Sequence, residues 1–114
     1  MALQGTFREI GEIAIMDFSG KITLGEGSST LRKTIRELVE RGHRKILINL
    51  FDVDYIDSSG IGELVSAYTT VRSAGGELKL LNLTRRVHDI LQITRLFTVF
   101  DVQSEEEVAL RSFR

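Results

Sequence analysis

Lys45-Ile46-Leu47-Ile48-Asn49-Leu50-Phe51, followed by Tyr55-Ile56-Asp57-Ser58-Ser59-Gly60-Ile61-Gly62, decides how this chain folds. The first run is an almost unbroken apolar segment of strand length, which predicts a buried strand. After the second, Ile61, Leu64, Val65, Tyr68 and Val71 recur on one face of a helix. The strand is therefore expected to end near residue 51 and to turn through Asp52 to Ile56. The helix that follows starts with Asp57, Ser58, Ser59 and Gly60. Hydroxyls, a carboxylate and two glycines thus gather where unpaired N–H groups and the positive end of the helix dipole favour an anion.

Outward from this stretch, strands and helices alternate. Thr6 to Ile10 and Glu12 to Phe18, separated by Gly11, predict a hairpin of an edge strand and a more buried one, closed by Ser19-Gly20. Lys21 to Gly27 predicts a loop, after which Ser28 or Ser29 caps a helix to about Arg41 with the stripe Leu31, Ile35, Leu38 and Val39. Gly42 ends that helix. Beyond the second helix (about 58–74) and Gly75-Gly76, Glu77 to Asn82 predicts a strand. Thr84 caps a third helix carrying Val87, Ile90, Leu91 and Ile93. Phe97 to Phe100 predicts a last strand, and Ser104-Glu105-Glu106-Glu107 opens a final helix with its acids at the favourable end. The order β-β-α-β-α-β-α-β-α implies an α/β domain with a mixed, mostly parallel sheet.

The chain has 114 residues, 42% hydrophobic and 27% charged, which suits a single domain (1–114) with a real core. Its net charge of −1 gives no reason to expect nucleic acid or an anionic membrane as partner. There are no cysteines, which excludes thiolate chemistry and fits a reducing compartment. Neither a secretory signal nor an apolar stretch of the ~18 residues a membrane helix needs is visible. A cytoplasmic domain is the expectation.

Enzymatic chemistry finds little support. A nucleophilic Ser58 or Ser59 would need a base, and the two histidines, His43 and His88, lie in no catalytic spacing. Both are expected on the surface. The glycine two before the serine of a nucleophile elbow is missing. Asp52, Asp54 and Asp57 cluster without metal-binding register, so no metal site is assigned. Gly25-Glu26-Gly27-Ser28-Ser29 lacks the lysine of a phosphate loop, and no cofactor is expected. Arg85, Arg86 and Arg95 offer charge to an anion or an acidic partner, but an ordinary solvated helix face is the simpler expectation. Helix capping accounts for one or two of Asp57, Ser58 and Ser59, but not for all three followed by Gly60 and Gly62. Those glycines suggest a surface that something approaches closely.

Ile46-Leu47-Ile48-Asn49-Leu50, then Val53-Asp54-Tyr55-Ile56-Asp57-Ser58-Ser59-Gly60-Ile61-Gly62, then Gly75-Gly76-Glu77-Leu78, resembles a STAS domain of the bacterial anti-sigma-factor antagonist type. The likeness extends to Leu96-Phe97-Thr98-Val99-Phe100 and the acidic helix after it. It implies helices packed mainly on one face of the sheet and a binding protein, not an enzyme. It also implies phosphorylation of Ser58 by a serine-kinase anti-sigma factor, which the unphosphorylated form binds so that the sigma factor is released. A metal-dependent serine phosphatase would reset the switch; nucleotide and metal belong to the partners. Asp57, Ser58, Ser59, Gly60, Gly62 and Thr23 form the implied docking site. Family members often have Gly-x-[Leu/Ile]-Asp after the second strand, whereas this chain reads Gly20-Lys21-Ile22-Thr23, a departure that bears on partner choice. The alternative is a non-switching STAS subunit of a lipid-transport or stress-sensing complex.

Overall fold

The computed structural model describes residues 3–114. Its elements are β1 (Gln4–Ile10), β2 (Ile13–Ile22), α1 (Glu26–Glu40), β3 (Lys45–Ile56), α2 (Ser58–Ser73), β4 (Glu77–Leu81), α3 (Arg85–Ile93), β5 (Asp101–Gln103) and α4 (Glu106–Ser112). One five-stranded sheet runs β1-β2-β3-β4-β5. Only the β1–β2 hairpin is antiparallel. Its two-residue turn starts at Gly11, whose φ of 59° suits a glycine.

Side chains alternate across each strand, so each strand supplies two faces. Ala14, Met16, Phe18, Ile46, Ile48, Leu78 and Leu80 form the main core with Leu31, Ile35 and Leu38 of α1, Leu64 and Val71 of α2 and Val87 and Leu91 of α3. On the other face, Ile13, Ile15, Leu47 and Leu81 pack against α4 and its C-cap, through Ala109, Leu110 and Phe113. The helices thus lie mainly on one face. Gly42 (φ 95°) ends α1 in a Schellman motif, its N–H donating to the Val39 carbonyl and that of His43 to Leu38.

The structure departs from the sequence expectation in four places. The central strand does not stop near residue 51 but continues to Ile56, and β2 runs on through Ser19-Gly20 to Ile22. The two pair throughout, with register shifts after Asp17 and after Gly20 at which β3 holds one extra residue. Two bulges turn the burial period of two into three, so Leu50, Val53 and Ile56 are buried while Phe51, Asp52 and Asp54 are exposed. That spacing, with its aspartates, resembles a turn. Secondly, α1 starts earlier than expected: Gly25 is its N-cap, with no side-chain cap, and Ser28 is buried inside the helix.

Thirdly, Phe97 to Phe100 is a turn, and the last strand is Asp101–Gln103. Phe97, Val99 and Phe100 are apolar because they pack into the core, with Phe100 edge-on to Tyr68 at 5.6 Å between centroids, not because they pair. Lastly, Ile93 leaves the α3 stripe and is 80% exposed. Thr84 does cap α3, accepting from Val87 N–H at 3.4 Å, and its hydroxyl donates to the Val53 carbonyl at 3.0 Å.

The two motif glycines differ sharply. A Cβ on Gly60 would sit 2.1 Å from the Ile22 carbonyl oxygen, whereas one on Gly62 would meet nothing within 4 Å. Gly60→Ala is therefore expected to lower stability by more than about 2 kcal/mol by forcing β2 and α2 apart. Gly62→Ala should raise it by about 0.5–1 kcal/mol through helix propensity. Urea unfolding of the two variants checks both signs.

Candidate functional site

β2 and β3 end side by side, and α2 leaves directly from the end of β3. Asp57 occupies the junction with extended backbone (φ −108°, ψ −175°), the geometry of an N-cap. Its N–H donates to the Ile22 carbonyl at 3.3 Å. One carboxylate oxygen accepts from Gly60 N–H at 2.9 Å, and the other accepts from Leu24 N–H at 3.1 Å. The cap thus ties the loop after β2 to the start of α2. Burial pushes the Asp57 carboxyl up, but the N–H groups of Gly60, Leu24 and Ser59 outweigh it and hold the group below the usual carboxylate range.

The serines behind Asp57 are not equivalent. Ser28 of α1 is 3% exposed, and its hydroxyl donates to the Thr23 carbonyl at 2.9 Å. A hydroxyl has a single proton to donate. The 3.1 Å contact between the Ser28 and Ser59 hydroxyls is then donated by Ser59. Ser59 is half-buried and committed. Ser58, the first residue of α2, is exposed, and its hydroxyl bonds to none of the described residues.

Thr23, Asp57, Ser58 and Ser59 therefore meet at one end of the sheet, Thr23 contributing through its carbonyl. Gly62 is exposed further along α2, while Gly60 is buried beneath the site against Ile22. Two contributors escaped sequence reasoning. Ser28 looks like a helix cap, and only the neighbouring Gly27, whose added Cβ would lie 2.6 Å from the Lys21 carbonyl oxygen, hints at tight packing there. Leu24, 80% exposed beside the Asp57 carboxylate, looks like an ordinary loop residue. His43 and His88 lie elsewhere, half-buried against Phe7 and Phe97 with centroids at 5.5 and 5.0 Å. Arg32 of α1 and Glu63 of α2 pair across the two helices.

An α/β domain of this topology, offering a lone free serine at the start of its second helix, is a STAS domain: that family matches residues 6–109, and the chain belongs to it. Within the family it falls among the anti-sigma factor antagonists. It is 38% identical over 77 residues to the anti-sigma-B factor antagonist of Bacillus subtilis, a match spanning 68% of this chain and 70% of that protein. Solved structures of other proteins share the fold. An anti-sigma factor antagonist from Mycobacterium paratuberculosis superposes with a TM-score of 0.87 at 18% identity, over 99% of this chain and 95% of that one. The Bacillus cell fate determinant SpoIIAA in the phosphorylated form gives 0.73 at 19% identity, over 95% and 97%.

Asp57→Ala should cost about 1 kcal/mol near neutral pH through loss of the cap. Since the native carboxyl ionises below its unfolded value of about 3.9, this contribution is complete above that pH and fades as acid titrates the native group. Unfolding of wild type and variant followed from pH 7 to pH 2 should show the two curves converging in acid; a constant gap contradicts the assignment.

Proposed function

We propose that this chain is a phosphorylation-controlled antagonist whose message is written on Ser58. A serine-kinase anti-sigma factor binds the unphosphorylated form and thereby releases its sigma factor. Phosphorylation of Ser58 by that kinase ends the complex, and a metal-dependent serine phosphatase restores the binding form. The observation that carries this reading is the contrast among the hydroxyls: Ser58 is exposed and free, while Ser28 and Ser59 are engaged with each other and with Thr23.

Phosphate adds roughly −1.5 to −2 charges at pH 7. Within the chain, the α2 N-terminus tolerates it, favouring an anion by about 0.3–1 kcal/mol, with Asp57 opposing as a like charge. Against a partner's carboxylate at ~4 Å, each unit charge pair costs about 4 kcal/mol at an effective dielectric of 20. Each ~1.4 kcal/mol is tenfold in affinity, so binding ends without refolding. Asp57, Ser59, Thr23 and Gly62 frame the docking face, and Gly60 acts from beneath by letting β2 approach.

Incubation with a cognate kinase and ATP, followed by phosphopeptide mapping, should place the label on Ser58. Ser58→Ala should remain bound to the kinase in the presence of ATP, and Ser58→Asp, with one charge, should release it only in part. Label on Ser59 alone would overturn the assignment, because that hydroxyl is the committed one.

A further inference from the structure

Next to the Asp57 junction, three elements converge on one ring. Tyr55 of β3 pairs in register with Lys21 of β2, one step before Ile22 and Ile56. The Lys21 ammonium lies 5.6 Å from the Tyr55 ring centroid, and the Arg86 guanidinium, from the first turn of α3, lies 4.4 Å from it. Lys21 also pairs with the exposed Asp54 at 3.3 Å, which offsets its charge. Arg85 and Arg86 are exposed and have no carboxylate within ion-pair distance among the described residues.

Both arginines oppose the dipole preference of the helix that carries them. The first turn of α3 contains no acid, although carboxylates are the favoured residues there and cations the disfavoured ones. Local rules broken without compensation within the fold tend to mark function. Arg86 gains a cation–π contact, which explains its position but not a second arginine beside it. The result is a basic and aromatic patch on a chain whose net charge is −1.

We propose that Tyr55, Arg85 and Arg86 extend the Ser58 docking face along α3 and hold an acidic segment of the protein that binds there. This rests on Ser58 being the docking centre. The arginines supply forked donors for carboxylates, and Tyr55 holds one of the forks in place. Contacts of this kind at the rim of an interface govern the association rate and its salt dependence more than the lifetime of the complex. They also identify the partner by charge at a distance from the serine, which matters where the loop after β2 has Thr23 in place of an acid.

The test uses a fluorescein-labelled octaglutamate peptide and the full chain, with ¹⁵N-resolved amide spectra to locate binding. At low salt, shifts should centre on Tyr55, Arg85 and Arg86, and binding should weaken at least tenfold in the R85E/R86E variant. Peptide binding is measured without kinase or ATP, so the patch stands or falls independently of phosphorylation. Both arginines are exposed and the α3 dipole favours acids in their place, so the double variant should unfold no more easily than wild type. Shifts spread elsewhere, unchanged affinity in R85E/R86E, or binding of oligo-dT or phosphatidylglycerol vesicles in preference to the peptide would each overturn the proposal.

Discussion

The end of β2 lies against the start of α2 with no side chain between them, and the rest of the molecule is arranged to make that contact possible. Gly60 approaches the Ile22 carbonyl more closely than any residue with a Cβ could, and Gly27 does the same against Lys21 from α1. Two of the three helices on that face, α1 and α2, therefore begin against the last two residues of β2. The Ile22 carbonyl accepts from Asp57 N–H, and the Thr23 carbonyl accepts from both the N–H and the hydroxyl of Ser28. Backbone groups that would be orphaned at two helix starts and a strand end satisfy one another. The end of β2, the nearby start of α1 and the start of α2, more than 30 residues on, become one block.

That block explains why a single serine stands out. A hydroxyl on the first turn of a helix is ordinarily available to solvent or to the cap. Here Asp57 has taken the capping role and Ser59 is engaged by Ser28, so Ser58 alone keeps its donor and acceptor free. The junction is held by short backbone bonds to a carboxylate that stays ionised near neutral pH, and such a scaffold has little reason to move when charge is added at its surface. Such rigidity suits the proposed switch, in which electrostatic repulsion at an interface ends binding.

The opposite face of the sheet follows a different logic. Its apolar cluster is small, and α4 is held at both ends by charged groups. Arg8 of β1 bridges Asp17 and Glu106, and Asn49 donates to the same Asp17 at 2.8 Å. Lys79, only 7% exposed, donates to the carbonyl and hydroxyl of Ser112, pairs with Asp101 at 2.8 Å and lies 5.0 Å from the Phe113 ring. A buried ammonium is tolerable when each of its donors has an acceptor, as here. Polar clamps at both ends of α4 compensate for the limited apolar area it covers.

Much of this was legible in the chain itself. The apolar run from Lys45, the helical spacing after Gly60, the caps at Asp57 and Thr84 and the stop at Gly42 all act through neighbours within a few residues, so local propensity and period suffice to read them. The long β2–β3 ribbon was hidden because two bulges replace a period of two with a period of three, and bulges are a property of the pair of strands. The turn at Phe97–Phe100 looked like a strand because core burial and strand pairing select the same residue types. The roles of Ser28, Gly60 and Arg86 depend on partners 30 or more residues away, at Ser59, Ile22 and Tyr55. The sequence alone determined which helix start carries the serines. Only the tertiary structure decided which serine is free, because that depends on which hydroxyl another helix engages.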